Sequence, residues 1–147
     1  MSGRYVVRYG AMRQVGEFTA RPPLEFARLA QVVVRSRRGT EWGEVLCPAT
    51  DRTREYLGAP EPEGRILRDV NAEDERVRDD LYRQEQDAFR ECGALIAERH
   101  MAMQLIDVEL LFGREKILFY YLAETRVDFR YLNHMLATIF DQPGRRR

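Results

Sequence analysis

The sequence predicts an α+β protein: a small N-terminal antiparallel sheet or half-barrel, a long central helix, a β-hairpin and a C-terminal helix. Three observations predict it. Short apolar runs punctuated by glycine and proline fill the first 47 residues. A highly charged stretch beginning near Asn71 carries apolar residues at spacings of three, four and seven. Two β-prone segments then flank Phe112-Gly113-Arg114, and a second helical periodicity follows them.

Taken in order, "YVVRYG" reads as a strand ending at Gly10, and "RQVGEFTA" as its return, closed by Pro22-Pro23. "LEFARLA" is expected to make one helical turn before "QVVVRS". The period-two valines and Arg38-Gly39 predict a hairpin tip at "RSRRG", with Gly39 supplying a positive φ. With a two-residue loop there, Arg35 lies opposite Trp42, within reach of a cation–π contact. Residues 48–70, rich in proline and glycine, are expected to be a connector between a β subdomain at 1–47 and a helix–hairpin–helix part at 71–147.

Asn71 is placed to cap the central helix, with Glu73, Asp74 and Glu75 at the positive end of its dipole. Val77, Leu81, Ala88, Cys92 and Leu95 form its buried stripe, and it ends near Arg99 or His100. "MQLIDVELLF" and "EKILFYYLAE" follow as two strands, the second apolar enough to be buried on both faces. Asp128 caps a final helix whose apolar face is Phe129, Leu132, Leu136, Ile139 and Phe140.

Net charge is zero, which excludes a global field drawing the chain onto nucleic acid or anionic lipid. Its distribution is uneven. Eight arginines precede Gly39 against Glu17 and Glu25, and acids cluster between Asp69 and Glu91. Cys47 and Cys92 lack CxxC spacing and are expected to be free thiols in a reducing compartment. No apolar run approaches the roughly 18–20 residues of a membrane span. Membrane insertion is therefore not expected, and a cytoplasmic location is.

Catalytic signatures are missing from the sequence: no GxSxG, HExxH or phosphate-loop motif occurs. His100 and His134 stand apart and have no metal-ligand spacing with either cysteine. Adjacent carboxylates such as Asp79 and Asp80 point about 100° apart on a helix and do not converge on one substrate atom. The sequence thus gives no catalytic, cofactor-binding or metal-ligating residue and predicts a protein that is not an enzyme. Three binding candidates remain. Arg35, Arg37, Arg38 and Trp42 have the cation-plus-aromatic chemistry of an RNA or anion contact. Arg78, Arg83 and Arg90 flank the seam of the long helix, where another helix would meet it. Arg126 and Arg130, in "RVDFR", are candidates for a partner's carboxylates.

The ordered series "YVVRYGAMRQVGEF", "VVVRSRRGTEWGEVL", "RILRDVNAEDE" and "MQLIDVELLFGREKILFYYLAETRVDFRYL" resembles the polymerase-suppressor-protein C-terminal domain family, in its bacterial YaaT-like branch, over residues 5–140. The resemblance implies a non-enzymatic cytoplasmic regulator or adaptor. Its relatives contact small helical proteins and influence messenger-RNA processing through a membrane-bound endoribonuclease. A protein partner in a homo- or hetero-oligomer is implied, with direct RNA binding through the arginine hairpin as the alternative. YaaT-like members continue into a further strand and a cysteine-rich segment associated with iron–sulfur binding. Here "DQPGRRR" follows instead, so no cofactor is expected, and an edge strand open to another chain is.

Overall fold

The computed structural model describes residues 3–123, which fall into two compact units. The first comprises residues up to Val77 together with Leu111–Lys116; the second comprises Arg78–Leu110 and the chain from Ile117 onward.

Strands β1 (Gly3–Tyr9), β2 (Gln14–Ala20), β3 (Gln31–Arg35), β4 (Thr40–Pro48) and β5 (Gly64–Asp69) close into a barrel in the order β1-β2-β5-β3-β4. Alternation builds its interior. Tyr5, Val7 and Tyr9 from β1 meet Phe18 and Ala20 from β2, Val32 and Val34 from β3, Val45 from β4 and Ile66 from β5. Tyr9 and Phe18 pack edge to face at 5.2 Å. Position 43 has no room for a side chain, since a Cβ there would lie 2.7 Å from Val7 Cγ1.

The closed barrel replaces the antiparallel sheet or half-barrel expected from sequence. Its fifth strand comes from the stretch 48–70, which is not a plain connector. Thr50 opens helix α1 (Asp51–Leu57) with a capping box to Thr53, and Gly58 ends it in a left-handed conformation. β5 then pairs parallel with β2 and antiparallel with β3, so the barrel is not wholly antiparallel. "LEFARLA" is not helical either. Leu24 and Phe26, two residues apart, both pack on the barrel core, and Phe26 meets Tyr5 edge to face at 5.6 Å. Period-two burial there takes precedence over a helical turn.

Asn71 caps helix α2 (Ala72–Glu98) as expected: its Oδ1 accepts from the Asp74 amide and its own amide donates to Asp74 Oδ2, both at 2.9 Å. Arg68 grips the same Asp74 carboxylate, with Nη2 2.9 Å from Oδ1. In the second unit, Ala88, Cys92, Leu95 and Ile96 of α2 form a core with Leu105 and Val108 of β6 (Gln104–Leu110). Ile117 and Phe119 of β7 (Ile117–Leu122) pack against it. Contrary to the sequence expectation, β7 is not buried on both faces. Among the described residues it pairs only with β6, and its side chains are half-buried to exposed. The expected C-terminal helix lies outside the described residues.

Candidate functional site

The arginine hairpin has a four-residue loop, Ser36–Gly39, closed by the Ser36 amide donating to the Gly39 carbonyl at 2.8 Å. Gly39 has φ 150°, so the requirement for glycine is met at the position the sequence indicated. The longer loop changes the register. Arg35 faces Thr40, and Trp42 faces Val33, so the expected Arg35–Trp42 stack is replaced. The indole Nε1 donates to Gln31 Oε1 at 2.7 Å, and its ring meets Phe112 edge to face at 5.8 Å.

Each hairpin arginine meets a carboxylate. Arg38 binds Glu41, with Nη2 2.5 Å from Oε1, and the hydroxyl of Ser36 donates to the same buried carboxylate. Arg37, the most exposed of the three, has Nε 3.9 Å from Glu63 Oε2. Arg35 Nη1 reaches Glu115 Oε2 at 3.0 Å. Burial, with the nearby charges of Glu63 and Glu41, pushes the Tyr9 hydroxyl up to about 12. Burial also raises the Glu115 carboxyl. The hydrogen bonds from Thr40 and its own amide, with the charge of Arg35, outweigh that and hold it below the ordinary value.

Sequence reasoning found the cations and missed Glu41, Glu63 and Glu115. Glu41 was legible in principle, since it stands three residues from Arg38 across a turn. Glu115 lies 80 positions from Arg35, and only the tertiary fold joins them.

On the second unit, Arg78, Arg83 and Arg90 all lie on the exposed side of α2, and Arg90 pairs with Asp87. Arg126 and Arg130 lie outside the described residues. Sequence analysis also missed exposed apolar side chains on the helix and on the ribbon. Tyr82 (62% exposed) and Phe89 (40%) stand seven residues apart on α2, and the ribbon exposes Ile106 (51%) and Leu122 (62%). Phe89 and Gly93 open onto a cavity of about 580 Å³ floored by Ile96, Met101, Met103 and Leu105. The i, i+7 aromatic pair was the available signal.

Cys47 is half-buried on β4, whereas Cys92 is fully buried in the second core, where burial raises its thiol. Among the described residues, no three His, Cys, Asp or Glu side chains are grouped to hold a metal ion. No helix among them is long and apolar enough to cross a membrane.

Residues 64–142 match the PSP1 C-terminal conserved region. The chain is 34% identical over 109 residues to the stage 0 sporulation protein YaaT of Bacillus subtilis strain 168. That alignment covers 74% of this chain and 39% of the relative, so the chain spans well under half of the relative's length. No solved structure matches it.

Proposed function

Because the chain belongs to the family defined by the PSP1 C-terminal conserved region, we propose that it is a regulatory protein of the YaaT type. In this reading it works in the cytoplasm as a non-enzymatic adaptor, by protein–protein contact, in the control of RNA processing. One observation carries the contact reading: the exposed large apolar side chains of the second unit, on α2 and on the ribbon face turned away from it. Tyr82, Phe89, Ile106 and Leu122 are all more than a third exposed, and three of the four exceed half. Large apolar side chains left outside on one small unit are the usual mark of a surface that meets another protein. Arg83 and Arg90, on the same helix, supply the charged rim that gives such a surface its specificity.

The hairpin supports the alternative, direct RNA binding, less well. Its arginines have the right chemistry, but each already holds a carboxylate. Arg35 and Arg37 keep solvent exposure, so an external ligand would have to displace Glu115 and Glu63 rather than meet free cations.

The test is partner capture from native lysate with the wild type beside Phe89→Glu/Ile106→Glu. The proposal expects a defined partner on the wild type and its loss from the variant, with the circular dichroism of the two proteins identical. Equal capture by both, or a wild type recovered only as an isolated monomer, removes this surface from the function.

A further inference from the structure

Glu115 occupies the place that a bound anion would take. Its Oε2 accepts the Thr40 amide at 2.9 Å and Arg35 Nη1 at 3.0 Å, so a backbone N–H and a guanidinium converge on one oxygen. Anion sites are commonly built from this pair of donors. The carboxylate is delivered by the tip between β6 and β7, which belongs to the same unit as the barrel. Gly113 donates to the Thr40 carbonyl at 3.0 Å, Phe112 packs on Trp42, and Leu111 is buried close beside Gly39.

The three carboxylates at the hairpin differ in kind. Glu41 is buried at the base of its own hairpin and bonded to Ser36 and Arg38, so it is part of the framework. Glu63 lies 3.9 Å from the Arg37 guanidinium, and it also accepts the Arg37 amide at 3.5 Å and the Tyr9 hydroxyl, which tie it to the barrel. Glu115 is borrowed from a distant segment, and both it (31%) and Arg35 (52%) keep substantial solvent exposure. An exposed pair of this sort contributes little net stability, so an external anion can compete for its donors.

We propose that Glu115 is an internal plug in an anion site formed by the Thr40 amide and the Arg35 guanidinium, and that displacing its side chain opens this site to a phosphate group. The hairpin is then a closed anion site held shut by the chain's own carboxylate. The proposal does not depend on the partner surface of the second unit.

Trp42, the only tryptophan, touches the tip through Phe112 and reports the event directly. The experiment titrates inorganic phosphate, and separately a short oligouridylate, into four proteins while following Trp42 emission. These are the wild type, Glu115→Ala, Glu115→Gln and Glu115→Ala/Arg35→Ala. The wild type is expected to bind neither probe strongly. Glu115→Ala should gain about tenfold in affinity, about 1.4 kcal/mol, because it frees the Thr40 amide as well as the weakly held Arg35 guanidinium. Glu115→Gln should fall between the two, and the double variant should return to wild type.

Saturable binding of inorganic phosphate marks a single phosphate group as sufficient. A gain confined to oligouridylate marks the nucleic-acid backbone as the source, with a salt slope steeper by about 0.7 for the one cation released. Equal affinities for wild type and Glu115→Ala overturn the proposal. So does a gain that survives Arg35→Ala. If Glu115→Ala and Glu115→Gln both lose their far-ultraviolet circular dichroism, Glu115 is framework rather than plug, and the proposal fails.

Discussion

Replacing Gly64 with alanine tests how the barrel closes. A Cβ at this position would lie 1.8 Å from the carbonyl oxygen of Arg35, 2.8 Å from its carbonyl carbon and 3.1 Å from Ser36 Cα. Ordinary contact begins at 3.4 Å, and all three neighbours are backbone atoms that no rotamer change can move. β5 must therefore retreat from β3 at the end where Arg65 pairs with Arg35 and Ile66 with Val34. The loss is one or two ladder hydrogen bonds, about 1 kcal/mol each. To that is added part of the roughly 1.5–3 kcal/mol gained by burying Ile66, which is only 3% exposed in the barrel core. A destabilisation of about 3 kcal/mol follows. With a urea dependence of about 1.5 kcal/mol per molar, the midpoint falls by about 2 M. Urea unfolding followed by Trp42 emission reads the barrel specifically, because that side chain lies on β4 beside β3. A midpoint within about 0.5 M of wild type, at unchanged slope, would refute the argument that backbone approach at Gly64 closes the barrel.

The same substitution at Gly93 should have the opposite sign. Among the described residues, beyond its own stretch of helix, no atom lies within 4 Å of a Cβ there, so Gly93→Ala within α2 should stabilise the isolated protein by about 0.5–1 kcal/mol, seen as a higher thermal midpoint; a lower midpoint contradicts the open space. Asp74→Asn should show a pH-dependent cost. Arg68 first, and then the Asn71 amide, hold the Asp74 carboxyl below its ordinary value. A depressed folded value gives stability that is complete above the unfolded value and lost as pH falls through the folded one. The unfolding free energies of wild type and variant should therefore differ by about 1 kcal/mol from pH 7 down to about 4, the unfolded value, and converge only as pH falls below that through the depressed folded value. A gap that widens on acidification has the wrong sign.

Local chemistry was readable wherever it stayed local. The β1–β2 hairpin, the Asn71 cap, the α2 stripe and the β6–β7 ribbon all follow from alternation, capping residues and turn glycines within a few positions. β5 was not readable. "GRILRD" contributes one fully buried side chain, Ile66, and follows a proline-rich stretch, so neither alternation nor composition marks it as a strand. Its partners β2 and β3 fix it through pairings about 30 to 46 positions away. The hairpin register failed for a smaller reason. Ser36 Oγ accepts the Arg38 amide and donates to Glu41, which stabilises a four-residue loop over the two-residue one.

The two candidate surfaces exchange roles once the fold is known. The arginine-rich hairpin has the appearance of function in sequence, yet its cations face Glu41, Glu63 and Glu115 within the first unit. Helix α2 has the appearance of ordinary amphipathic structure, yet Tyr82 and Phe89 make a second apolar line beside the stripe that Leu81, Ala88, Cys92 and Leu95 bury. Among the described residues only the two-stranded ribbon packs on this part of α2, and it covers the first line but not the second. Charge density alone is therefore a poor guide to the binding face here. A cation matters for an external ligand only where its internal partner can leave, and among the described hairpin carboxylates Glu115 meets that condition best. An apolar side chain matters for a partner where the described residues leave it exposed, as at Phe89 and Ile106.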